Sequence, residues 1–305
     1  MGGSGGGGLH SSRSADELRA EVQKELEQAR LESDVNALLN EQLALINNRD
    51  TELVNERLDE ITNALGDRIA GIDRLLYGGS VAKHTYVDGL SDVDSLVVLK
   101  HEALDGDTPS ALRSAMERAL RQGLDMGRVA SIDAGFAVTV TYKDGNQIQL
   151  LPAVERGGNI AISDKAGTGW SFIRPRAFEE RLTHTNREQG GRVVPTIKLA
   201  KAVVDASLGE RDRPGGYHME ALAVDAFRGY QGPRNAKAML GHFFSHAAER
   251  IKRPIADVTG QSTRIDETFG AENSPHRQRV ATALRRIASR MQNARSAEEW
   301  RRLLE

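Results

Sequence analysis

Gly78-Gly79-Ser80, followed by Ser91-Asp92-Val93-Asp94, is the stretch on which the reading of this chain turns. The second part runs straight into Leu96-Val97-Val98-Leu99, so it reads as an apolar strand in which residues i and i+2 share a face. Asp92 and Asp94 then converge. Two hard carboxylates on one face suit Mg2+, which takes its remaining oxygens from water and substrate phosphates; Mn2+ is the alternative ion. Gly78 and Gly79 let the backbone approach a triphosphate closely, and Ser80 adds a hydroxyl donor at the same place. Together these residues point to metal-assisted phosphoryl transfer.

Working outward, the glycine-rich opening reads as a disordered tail over residues 1–14. Ser14 and Glu17 form a capping-box pattern, and a helix is expected from there to about Ile46, carrying Leu18, Val22, Leu26, Leu31, Val35, Leu38 and Leu39. Its pattern is not a strict heptad, which favours packing within the chain. A second helix follows, with Leu53, Leu58, Ile61, Leu65, Ile69 and Ile72 as its buried face up to the Gly78 turn. Three β-runs are expected: Ser95 to Leu99, Gly135 to Tyr142 and Gln147 to Leu151. A helix from Ser110 to Leu124 separates the first two. Asp144-Gly145 reads as a two-residue hairpin turn, which would set Lys143 opposite Asn146 and Val140 opposite Gln149. After Trp170 six helical segments are expected, near Arg176–His184, Arg192–Leu208, Tyr217–Phe227, Ala236–Lys252, His276–Met291 and Ala297–Leu304. The fold class is α+β, a small mixed sheet flanked by helices plus a helical C-terminal lobe. The expected division is 15–165 for the N-terminal helices and sheet and 166–305 for the helical lobe.

The composition belongs to a folded, water-exposed protein: 39% hydrophobic and 28% charged residues, with a formal net charge of −2. No run approaches the length of a membrane span. Cysteine is absent, which excludes disulfides, thiolate metal sites and a cysteine nucleophile. With no signal peptide in view, a cytoplasmic location is expected. Acidic residues dominate the first hundred positions and basic ones the remainder. Arg174, Arg176, Arg181, Arg187 and Arg192 form one basic stretch, and Arg285, Arg286, Arg290, Arg295, Arg301 and Arg302 another, which reads as a solvated helix face. No stable DNA-binding motif is evident. His84 and His218 read as structural or solvent-facing, since no His/carboxylate metal spacing surrounds them, and Trp170 and Trp300 as packing residues.

The glycine-serine turn, the Asp-x-Asp strand and the later Leu150-Leu151-Pro152-Ala153 together resemble the polymerase-β-like nucleotidyltransferase superfamily. Within it the chain is most similar to the CD-NTases, bacterial relatives of cyclic GMP-AMP synthase and oligoadenylate synthetase. The resemblance implies a nucleotidyltransferase core and a helical nucleotide-binding lobe. It implies Asp92 and Asp94 as catalytic metal ligands, with Gly79 and Ser80 clamping a donor triphosphate. Ile197-Lys198-Leu199-Ala200-Lys201 resembles the helix whose lysine reaches that triphosphate, Lys201 matching best. Gly216-Tyr217-His218-Met219-Glu220 resembles a Ser-Tyr-His segment whose tyrosine stacks on a nucleobase, a contact worth roughly 1–3 kcal/mol; Gly216 lacks the serine hydroxyl. Pro254-Ile255-Ala256-Asp257 looks like the relatives' closing segment, with no catalytic role carried over. The implied substrates are nucleoside triphosphates, the products cyclic or linear oligonucleotides in antiphage defence, and a partner effector protein is a further implied contact.

One position departs from the family pattern. Relatives carry a third carboxylate three residues before the proline, and here that catalytic position is Gln149. Its amide oxygen can ligate a cation but adds no charge to hold one. On the two-residue-turn register Asp133 lies on the order of 23 Å and Asp144 on the order of 16 Å from the gap, too far to fill it. Three readings stay open: a site that works with two acids, a chain whose third acid was replaced to disarm it, and a catalytically silent nucleotide binder. Transfer to an RNA, protein or drug acceptor would use the same aspartates.

Overall fold

The computed structural model describes residues 14–47, 51–69, 71–77, 93–100, 108–157, 159–164, 169–174, 176–259 and 264–305. Helices α1 (Ala15–Asn47) and α2 (Thr51–Gly66) lead into β1 (Ile72–Tyr77) and β2 (Val93–Lys100). Next come α3 (Pro109–Gly123), β3 (Val129–Ala134), β4 (Val138–Tyr142), β5 (Gln147–Arg156), β6 (Asn159–Ser163) and β7 (Trp170–Ile173). The remainder is helical: α4 (Arg176–Glu188), α5 (Val193–Ser207), α6 (Gly216–Phe227), α7 (Ala236–Arg250), α8 (Pro275–Asn293) and α9 (Ala297–Arg301).

The strands form one mixed sheet in the order β1-β2-β5-β4-β3, with β6 and β7 continuing from the far half of β5. The β2–β5 pair is parallel and the others are antiparallel. One face packs under α2 and α3 through Leu58, Ile61, Leu65, Met116, Leu120, Val97, Val140, Ile148 and Leu150. The other face carries a smaller apolar patch, Leu96, Val98, Ala153, Ile162 and Ile173. Alternation along β4 and β5, buried residues interleaved with half-buried ones, is what one covered and one more open face produces.

Three expectations are corrected. Ile72 does not extend α2: the helix stops at Gly66, Gly71 turns the chain with φ +82°, and Ile72–Tyr77 pairs antiparallel with β2. The spacing of Ile72, Leu75 and Leu76 imitates a helix face, but pairing with β2 outweighs it. The 15–165 grouping also gives way. Val35, Leu38 and Leu39 of α1 belong to the apolar core of the helical lobe, beside Ile197, Phe243 and Trp300, while β7 continues the sheet to Ile173. Only the second half of α1 packs in cis; Leu18, Val22 and Leu26 are exposed. Finally, the hairpin after β4 is a three-residue loop. Tyr142 N–H donates to Asn146 O at 2.9 Å and Gly145 takes φ +91°, the left-handed position of a bulged turn.

The helices of the second lobe form where their apolar spacing put them, and Trp300 is buried in their core. The terminal arginines lie on its surface, Arg285 paired with Glu249 and Arg302 with Glu298. Arg277 is buried instead and donates to Ile251 O, Gly270 O, Asp266 O and the Asp266 carboxylate. Among the described residues no helix is long and apolar enough to cross a membrane.

Candidate functional site

The three-residue loop moves the register by one. Gln149 stands opposite Thr139, not Val140. On its other side Gln149 pairs with Asp94 of β2, and Thr139 pairs with Asp133 of β3. Positions 94, 149, 139 and 133 therefore form one row across four strands. Gln149 and Thr139 are half-buried and Asp133 is exposed, so this end of the sheet face keeps access to solvent.

The row also corrects the distance to Asp133. The chain doubles back at Gly135, whose N–H donates to Ala137 O at 3.0 Å, and Asp133 comes to lie two strand spacings, about 10 Å, from Gln149. That is still beyond the direct reach of an ion held between positions 94 and 149, given metal–oxygen contacts of about 2 Å. Asp133 accepts from the Ser131 hydroxyl at 2.7 Å. Asp144 is committed elsewhere: it pairs with Arg57 at 2.6 Å, and that guanidinium holds its carboxyl below the usual range.

Gly79, Ser80 and Asp92 lie outside the described residues, as does His84, and for Asp94 only the strand position is described. Among the described residues no three His, Asp or Glu side chains gather as a metal-binding group. The donor set expected from sequence is the Asp92/Asp94 pair, and strand pairing sets Gln149 next to Asp94. It consists of hard oxygens only, which fits Mg2+ or Mn2+ in kind while lacking one charge.

The helical lobe gathers the remaining candidates around the first turn of α6. Lys201 of α5 is buried at 7% exposure, and its Nζ donates to Glu220 Oε1 at 3.1 Å. A Cβ placed on Gly216 would lie 3.4 Å from that Nζ and 3.6 Å from Cε, so the ammonium sits against the backbone of the first residue of α6. Lys201 is thus a buried, carboxylate-paired cation. Tyr217, next along, meets the Phe178 ring edge to face, with centroids 4.7 Å apart and planes at 89°. Its hydroxyl donates to Asp257 Oδ1 at 2.9 Å. Burial, reinforced by the Asp257 charge, raises the Tyr217 hydroxyl above the ordinary tyrosine value, so it remains a neutral donor.

His218 follows and is buried, not solvent-facing. It is 4% exposed, and its Nε2 lies 3.5 Å from Asp266. Burial first, then the charge of Arg277, lowers its pKa to about 4 against the opposing pull of Asp266. No sequence signal gives Glu220, Asp257 or Asp266 a role, although Asp257 stands in the Pro254–Asp257 segment. Glu220 was legible only as part of the Gly216–Glu220 segment, and its separation of 19 positions from Lys201 gave no hint of an ion pair.

The profile of the Second Messenger Oligonucleotide or Dinucleotide Synthetase domain matches residues 30–186, just over half of the chain. By sequence, no protein of curated function matches. Solved structures do. CdnC of E. coli MS115-1, determined with ATP, superposes with a TM-score of 0.64 at 12% identity, covering 90% of this chain and 97% of that one. CdnG of Bradyrhizobium diazoefficiens, in complex with GTP, gives 0.65 at 18% identity, covering 88% and 95%. The di-nucleotide cyclase DncV of Vibrio cholerae, a point mutant in complex with ATP and GTP, gives 0.58 at 12% identity, covering 93% and 87%. At these identities the structures establish the fold, that of the CD-NTases, over both the sheet and the helical lobe. With the profile covering the second half of α1 through most of α4, the chain belongs to the Second Messenger Oligonucleotide or Dinucleotide Synthetase family.

Proposed function

We propose that this chain joins nucleoside triphosphates into short cyclic or linear oligonucleotides with release of pyrophosphate. The observation that carries the reading is the register of the parallel β2–β5 pair, in which Asp94 neighbours the third-acid position, Gln149. Asp92 and Asp94, with the Gln149 oxygen, would hold Mg2+ or Mn2+, which when bound supplies positive charge to the triphosphate and to the attacking hydroxyl. Gly79 and Ser80 clamp the donor triphosphate, Lys201 neutralises it and Tyr217 stacks a base. The products act as signals in bacterial antiphage defence, read by a partner effector protein. That role is supported by the family alone.

The test is mass spectrometry of products formed from labelled ribo- and deoxyribonucleoside triphosphates and Mg2+. Small oligonucleotides support the reading. Silence until an RNA, protein or aminoglycoside is supplied would favour transfer to such an acceptor, and failure to bind any triphosphate would remove both. A narrower prediction concerns Gly216, the first residue of α6. Gly216→Ser returns a hydroxyl within reach of the phosphate site and of Lys201 Nζ, and serine is well tolerated at a helix start. Nucleoside triphosphate binding by calorimetry is expected to tighten about threefold, the worth of one modest hydrogen bond. Weaker binding would show that the hydroxyl instead crowds Lys201.

A further inference from the structure

We propose that Asp257 is a positioning residue for base recognition: it holds the Tyr217 ring, through the tyrosine hydroxyl, in the orientation that stacks on a nucleobase. The inference rests on the reading of Tyr217 as a stacking platform and extends it to a residue 40 positions away. The geometry is specific. Asp257 Oδ1 accepts Tyr217 Oη at 2.9 Å, Thr259 N–H at 2.9 Å and Thr259 Oγ1 at 2.7 Å. The ring is therefore fixed at its tip by a carboxylate that is itself fixed, and along its side by the buried Phe178.

The segment bearing Asp257 is anchored as a support should be. Ile255 N–H donates to Asp266 Oδ1 at 3.2 Å, Ile265 N–H returns to Ile255 O at 3.0 Å, and Ala256 forms a bridge with Arg264. Asp266 is held in turn by Arg277, itself fully buried, at 2.6 Å. At the other end Arg174 N–H, just past β7, donates to Thr259 O at 2.8 Å. Asp257 thus holds Tyr217, while Asp266 lies 3.5 Å from Nε2 of the next residue, His218. A ring pre-set in this way binds a base without first losing rotational freedom.

The discriminating experiment is calorimetry on the full chain with Mg2+, using the tightest-binding of the four ribonucleoside triphosphates and, separately, inorganic tripolyphosphate, which has no base to stack. Asp257→Ala and Tyr217→Phe are each expected to weaken the nucleotide about tenfold, within the range of one base–aromatic contact. The double variant should be no worse than either, because both break one hydrogen bond. Asp257→Asn, which keeps an acceptor oxygen, should restore binding to within about threefold. Tripolyphosphate affinity should stay within about twofold throughout, since the phosphate end is untouched. Equal loss for nucleotide and tripolyphosphate in Asp257→Ala would overturn the proposal by making Asp257 a general scaffold residue. So would an unaffected nucleotide affinity in Asp257→Ala when Tyr217→Ala loses it. If Tyr217→Ala itself binds nucleotide normally, the stacking reading fails first, a result that these variants tell apart.

Discussion

Replacing Gln149 by aspartate is expected to raise Mg2+-dependent turnover by roughly 10- to 100-fold, the usual span for changes to a metal site's ligand sphere. Gln149 stands beside Asp94 across the β2–β5 ladder, so on the proposed reading a carboxylate there adds its charge next to the metal ligands and not at a distance. Asp133, about 10 Å away by strand spacing, offers no local replacement. Gln149→Glu separates charge from reach, since it keeps the length of glutamine; both variants should gain, with aspartate ahead if the shorter side chain is the fitting one. Without metal the new carboxylate faces a like charge across the strands, a cost of about 0.2–1 kcal/mol. Each variant should therefore melt lower than the parent in EDTA and recover on adding Mg2+, by ligand linkage. The measurement is pyrophosphate release against Mg2+ concentration, with Asp92→Ala and Asp94→Ala introduced on top of Gln149→Asp. Turnover should then return to background. A variant no faster than the parent, with the same Mg2+ dependence, would mean that position 149 does not serve the metal.

What the sequence made legible was what repeats along it. The helices after residue 176 begin and end within a few residues of expectation because their apolar residues recur at helical spacing and face one core. Strand β5 was legible only over Gln147–Leu151 and runs on to Arg156, through a stretch where buried residues no longer alternate. Strand β1 was not legible, because Ile72, Leu75 and Leu76 fit a helix face equally well and only pairing with β2 decides. Strands β3, β6 and β7 are short, with little alternation to mark them. Asp144-Gly145 correctly signalled a hairpin, yet the number of loop residues depends on which residue takes positive φ, and one residue of difference exchanged Val140 for Thr139 opposite Gln149. The partners that define the helical-lobe site, Glu220 for Lys201 and Asp257 for Tyr217, join positions 19 and 40 residues apart. No spacing rule reaches that far.

Lys201 is where structural and functional roles can be pulled apart most sharply. It and Glu220 form a pair whose side chains are 6% and 1% exposed, and removing one partner strands a buried charge at a cost of about 3–5 kcal/mol. Lys201→Met or Glu220→Met alone should therefore melt well below the parent. Replacing both by methionine removes both desolvation penalties with similar volume, and such exchanges are often neutral or stabilising. The Lys201→Met/Glu220→Met chain should regain most of the parent's stability in denaturant titration, the two losses being strongly non-additive. Its affinity for tripolyphosphate should nevertheless stay about 10- to 100-fold weaker, because a charge-assisted contact to phosphate, worth about 1.5–3 kcal/mol, is gone. The contact is close to the surface: Nζ lies 3.4 Å from where a Cβ on Gly216 would stand, so an anion resting on the first turn of α6 would meet the ammonium and the helix N-terminus together. A double variant that is stable and binds tripolyphosphate like the parent would assign Lys201 to the core alone. A double variant as unstable as the single ones would instead show that the pair orients α5 against α6, with nucleotide affinity lost through the fold.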